Sequence, residues 1–98
     1  MTRTLFAIIA LDAPATEGLR AEHREGHLAH FKAHAHKIAV AGPLSGSASG
    51  SLVIYSAADE AEARDFITGD PFHGHGVWAS IQVLQFKAAS GRWAESVD

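Results

Sequence analysis

The chain has 98 residues, no cysteine, 8 Lys+Arg against 11 Asp+Glu, and a formal net charge of −3 with its 7 histidines neutral. That length fits one small domain and excludes a multidomain enzyme, and a hydrophobic fraction of 47% excludes a disordered chain. The absence of cysteine removes disulfides, zinc–thiolate sites, iron–sulfur clusters and thiol catalysis, and the mild acidity leaves no basic stripe for nucleic acid.

In chain order, Leu5–Leu11 reads as a buried strand closed by Asp12-Ala13-Pro14. It is too short and apolar for too few residues to be a membrane span, and no signal-peptide pattern precedes it, so a cytoplasmic protein is expected. Thr16 is the expected N-cap of a helix running to about Lys37. Ile38–Ala41 follows as a short strand that Gly42-Pro43 should terminate, and Ser45–Gly50 is a hairpin-type loop. Ser51–Ser56 is a strand, and Ala58–Thr68 a second helix with Gly69 as its stop signal. Asp70–Gly76 reads as a tight irregular segment and Val77–Lys87 as the last strand. The tail from Ala88 reads as loosely attached to a single domain over residues 1–98.

The order β-α-β-β-α-β predicts an α+β, ferredoxin-like fold: a four-stranded antiparallel sheet with two helices on one face. The first and last strands carry apolar residues at both alternations, so the second face needs a cover. A second copy of the chain is the expected cover, which makes a homodimer the expected assembly.

The first helix carries the unusual composition. At roughly 100° per residue, with His27 at zero, Phe31, Ala35 and Leu28 mark an apolar stripe at roughly 40°, 80° and 100°. Arg24 falls at roughly 60°, in the middle of that stripe, and Arg20 at roughly 20°. An arginine there either snorkels to water or binds an anion at the lip of a pocket beside His27. His23, His27, His30 and His34 form a row that offers metal-ligand spacing, but no carboxylate completes it, and a polar helix border is the plainer reading. No metal and no other cofactor is expected. Pro71 forces Asp70 out of helical conformation. Asp70 either caps its own turn or approaches His27 and fixes its tautomer. Phe72 and Trp78 are candidate pocket walls, and His73 and His75 flank a glycine near the same place. The serines between Ser45 and Ser51 read as turn residues.

Arg24-Glu25-Gly26-His27-Leu28, then Gly42-Pro43-Leu44, then Asp70-Pro71-Phe72 with Gly76-Val77 resemble the pattern of the YCII-related (YciI-like) family over most of the chain, to about Phe86. The resemblance implies a dimeric α+β barrel of two ferredoxin-like subunits. It also implies a pocket in which His27 and Asp70 are the catalytic pair and Arg24 the anion-binding arginine; Phe72, Trp78 and His73, read from their place in the sequence, are the candidate substrate contacts. One branch of the family is a dehydrochlorinase of a chlorinated hydroxyquinol. The expected function is therefore cofactor-free elimination, dehalogenation or isomerisation of an anionic or phenolic small molecule. A non-catalytic ligand-binding or assembly module and a histidine-based metal binder are the alternatives. No nucleic-acid or membrane partner is expected.

Overall fold

A computed structural model describes residues 3–96, so the first two and last two residues of the expected domain lie outside the described part. Its elements are β1 (Thr4–Asp12), α1 (Glu17–Ala33), a 3-10 turn (Ala35–Lys37), β2 (Ile38–Leu44), β3 (Gly50–Ala57), α2 (Glu60–Thr68), α3 (Pro71–Gly74), β4 (Trp78–Phe86) and a final 3-10 turn (Ala94–Ser96). The strands form one antiparallel sheet in the order β2-β3-β1-β4. This is the α+β, ferredoxin-like arrangement expected from the sequence.

Alternation along the central strands divides the sheet into two faces. Phe6, Ile8 and Ala10 sit opposite Tyr55, Val53 and Ser51, and Ile8 also opposite Val83. That face packs on Ala63, Phe66 and Ile67 of α2 and Phe72 of α3 to make the core. The opposite face holds Ala7, Ile9, Leu52 and Ile54, and leaves Val40, Leu84 and Phe86 exposed. Residues 88–94 lie beside it and, with Val40, Ile54 and Phe86, border a cavity of about 400 Å³.

Two bulges decide what faces the helices. Between Ile38 and Val40 the register with β3 shifts, so Ile38 packs on the core while Val40 turns to the other face. Between Leu11 and Asp12 the register with β4 shifts, so Asp12 pairs with Trp78 while Leu11 pairs with Ser80. One extra residue reverses the side on which a strand residue emerges. Trp78 therefore joins the core cluster, although straight alternation from Ser80 would place it on the opposite face.

Several boundaries differ from expectation for physical reasons. Gly42-Pro43 does not end β2, which runs on to Leu44. β2 is an edge strand, where the missing proline N–H interrupts no ladder. The Thr16 side chain makes no cap bond and donates instead to the carbonyl of Ala13. The first helix ends at Ala33, and the stretch to Lys37 tightens into a 3-10 turn. Asp59 is the true N-cap of α2, accepting from the Glu62 N–H at 2.9 Å. The segment read as irregular contains α3, one turn started by the cap-and-proline pair Asp70-Pro71.

Gly50 is a point of close backbone approach, because a Cβ there would run into the carbonyl oxygen of Ala10. α1 packs close to α3 at Gly26, where a Cβ would sit 3.1 Å from Pro71 Cγ. None of the residues of α1 is fully buried, and Leu19 and Phe31 are its hydrophobic residues that pack against the core cluster. The helix thus stands off the β2–β3 side of the sheet, and the gap beneath it is the principal cavity near the histidines. Among the described residues no helix is long and apolar enough to cross a membrane.

Candidate active site

The cavity under α1 has a volume of about 510 Å³. Arg20, Arg24, His27 and Phe31 border it from the helix, Pro43 from β2, and Phe72 from α3. Its wall is thus mainly apolar, with two guanidinium groups and one imidazole brought in by a single helix face.

His27 Nδ1 lies 2.7 Å from Asp70 Oδ2. The His27 side chain is 12% exposed and that of Asp70 is fully buried. The other oxygen of Asp70 accepts the Phe72 N–H at 2.7 Å, which caps α3. Asp70 therefore both caps its own turn and lies against His27, one contact on each oxygen. A carboxylate only accepts, so Nδ1 carries the proton and donates. A neutral ring then presents Nε2 as a free base.

Aromatic packing holds this imidazole. Phe72 stacks on it at 4.1 Å with planes 6° apart, Phe31 tilts against it at 4.5 Å, and Trp78 meets it edge-on at 6.2 Å. Trp78 also stands edge-on to Phe72 at 5.8 Å. Its Nε1 is buried and has no hydrogen-bond partner among the described residues.

The remaining candidates separate. Arg24 is exposed at the cavity rim rather than inserted in the core stripe, and Phe72 forms the wall. Trp78 does not border the cavity; it supports His27 and Phe72 from behind because the β4 bulge turns it inward. His73 does not border it either, being exposed on α3. His23 stacks on His75 at 3.6 Å with planes 7° apart, tying α1 to the end of α3. His30 donates from Nε2 to the Phe66 carbonyl at 2.6 Å, and His34 from Nδ1 to the His30 carbonyl at 2.9 Å. Among the described residues no group of three or more His, Asp or Glu side chains is arranged to hold a metal ion.

Sequence reasoning passed over Arg20 and Asp12. Arg20 donates from Nε to Asp12 Oδ2 at 2.7 Å and from Nη2 to Oδ1 at 3.0 Å. Its Cζ lies 4.9 Å from the centre of the Phe72 ring. The signal was present in the helix phase, which set Arg20 between His27 and Phe31. Its partner was hidden because Asp12, at the end of β1, reads only as a strand stop.

Comparison with known proteins places the chain. No curated protein sequence matches the chain significantly. A solved structure, 5-chloro-2-hydroxyhydroquinone dehydrochlorinase (TftG) from Burkholderia phenoliruptrix AC1100 in complex with 2,5-dihydroxybenzoquinone, is similar to it, with 31% sequence identity and a TM-score of 0.80. The match covers 85% of this chain and 93% of that one. The YCII-related domain matches residues 4–87, and the chain belongs to the YCII-related family.

Proposed function

We propose that this protein is a small-molecule enzyme that removes a proton from carbon with a His27–Asp70 pair and catalyses elimination, dehalogenation or isomerisation of an anionic or phenolic substrate. The observation that carries the reading is the 2.7 Å contact between a buried carboxylate and the Nδ1 of a histidine that borders a cavity. The similarity to a dehydrochlorinase supports the same class.

In this reading His27 Nε2 takes the proton, and the C–H electron pair moves into the adjacent bond. For elimination that pair forms a double bond as a leaving group such as chloride departs with its own pair. For isomerisation it forms an enolate or phenolate, and the imidazolium returns the proton elsewhere on the substrate. Asp70 holds the tautomer and stabilises the transient imidazolium. Arg24, one turn before His27, compensates the oxygen on which charge collects. Phe72 and Phe31 give an apolar wall for a ring, and Trp78 keeps the imidazole in place.

The test is chloride release from 5-chloro-2-hydroxyhydroquinone, together with solvent-deuterium uptake by hydroxyquinols and dienones. His27→Gln is expected to lower either rate by about 10²–10⁴. Full activity in His27→Gln refutes the pair, and no turnover by the native protein of any of these favours the non-catalytic ligand-binding reading.

A homodimer belongs to the same proposal. The helix-free face exposes Val40, Leu84 and Phe86, and a second sheet is the cover that such a face calls for. Sedimentation should give a dimer that Leu84→Glu dissociates; a native monomer at micromolar concentration counts against it.

A further inference from the structure

We infer that the substrate bears a carboxylate, and that Arg20, oriented by Asp12, is the specificity-determining residue that grips it together with Arg24. The inference rests on the acid/base reading of His27 and adds the substrate's second functional group.

The state of Arg20 is the first observation. Its pairing with Asp12 engages Nε and Nη2, while Nη1 makes no hydrogen bond among the described residues. A guanidinium has five N–H donors in a plane, so two bonds to Asp12 fix that plane and leave donors over. Asp12 cancels most of the charge of Arg20, and what Arg20 retains is direction. Arg24 is the complement: it makes no ion pair or hydrogen bond among the described residues, so its charge is uncompensated. Glu17, exposed at the far end of the same cavity, disfavours a second anionic group there.

The second observation is the shared platform. The Phe72 ring carries the His27 imidazole at 4.1 Å and the Arg20 guanidinium at 4.9 Å. One rigid ring, on a helix capped by Asp70, thus sets the base and the anion donor in fixed relation.

The third is spacing. Arg20, Arg24 and His27 stand at i, i+4 and i+7, so at about 1.5 Å per residue the arginines lie about 10.5 Å and about 4.5 Å along the axis from His27. The 4.1 Å and 4.9 Å contacts to one Phe72 ring bring the Arg20 guanidinium within about 9 Å of the imidazole, so an anion held there is roughly 5–10 Å from the base. A carboxylate opposite an acidic carbon on a six-membered ring has its oxygens about 5 Å from that carbon, and a base approaches the carbon at about 3 Å, so such a substrate fits that interval. Two oxygens in one plane can accept from both guanidinium groups at once, whereas a single phenolate oxygen is a poorer match to two forks.

The probes are 2,5-dihydroxybenzoate and its neutral counterpart 2,5-dihydroxybenzamide, titrated calorimetrically into the full chain. The native protein should bind the acid at least about tenfold more tightly than the amide. Arg20→Gln and Arg20→Lys should both reduce that preference to about twofold or less, the lysine because it keeps charge but loses the fork. Asp12→Asn should weaken it partially. His27→Gln should keep the preference while lowering turnover by about 10²–10⁴, which separates this inference from the acid/base reading. Equal affinity for acid and amide, no binding of either at 10 mM (roughly ten-thousandfold above a micromolar site), or an unchanged preference in a folded Arg20→Lys variant overturns it.

Discussion

Asp70→Asn is the most informative single substitution, because it changes charge and donor pattern while keeping shape. Asp70 is fully buried and uses one oxygen for each of two 2.7 Å contacts, to the Phe72 N–H and to His27 Nδ1. An asparagine can keep only one acceptor. If its carbonyl stays on the Phe72 N–H, its NH2 meets Nδ1, and two donors cannot face each other. The imidazole must then shed the Nδ1 proton and take the other tautomer, with Nε2 protonated. A hydrogen bond to a charged group contributes about 1.5–3 kcal/mol and a neutral one about 0.5–1.5 kcal/mol. Part of the loss is offset because no carboxylate is desolvated in the variant. The net cost should be about 1–2 kcal/mol, which for a domain of this size lowers the melting temperature by roughly 5–15 °C. Long-range 1H–15N correlation spectra read the His27 tautomer directly, and thermal unfolding reads the stability. A variant in which Nδ1 still carries the proton and Nε2 remains the acceptor would refute the reasoning, whatever its activity.

Three further outcomes follow from other parts of the fold. Gly50→Ala should destabilise by about 3 kcal/mol or more in denaturant titrations, since its Cβ is driven into the Ala10 carbonyl of a central strand that has no freedom to move. Glu62 accepts from Arg3, Lys37 and the Ala58 N–H, and the backbone bond, followed by the lysine, holds its carboxyl down to about 2. Its contribution is therefore complete above the ordinary value of 4.5 and disappears as pH falls toward about 2. With the partners partly in water it should be about 1 kcal/mol, so Glu62→Gln should lose that amount at pH 7 and show a flatter acid limb. Trp78→Phe should cost less than about 1 kcal/mol, because the lost ring area is offset by removing a buried N–H without a partner, whereas Trp78→Ala should cost about 3–5 kcal/mol.

The parts of the fold that were legible in the sequence are those written in local pattern. Leu5–Leu11 and Ser51–Ser56 announce themselves by apolar content, and Asp70-Pro71 announces a forced change of direction. What the sequence concealed depended on neighbours. Pro43 continues β2 only because that strand lies at the edge of the sheet, and edge position is a property of topology. Trp78 turns inward because of one unpaired residue, which no alternation pattern reveals in advance. His27 and Asp70 each drew notice, but 43 positions of separation carry no information about 2.7 Å. Arg20 lay on the correct helical face and was still passed over, since its meaning comes from a carboxylate on another element.

The double use of Asp70 has a consequence for reading related sequences. The same side chain starts a helical turn and, in the proposed reaction, orients the base, so selection for folding alone would preserve it. A descendant that had lost its chemistry would keep the aspartate to hold α3 and would be free to change the histidine. In a newly met chain of this kind, an aspartate before Pro-Phe is a mark of architecture. The imidazole one helix away is the residue on which the proposed chemistry turns.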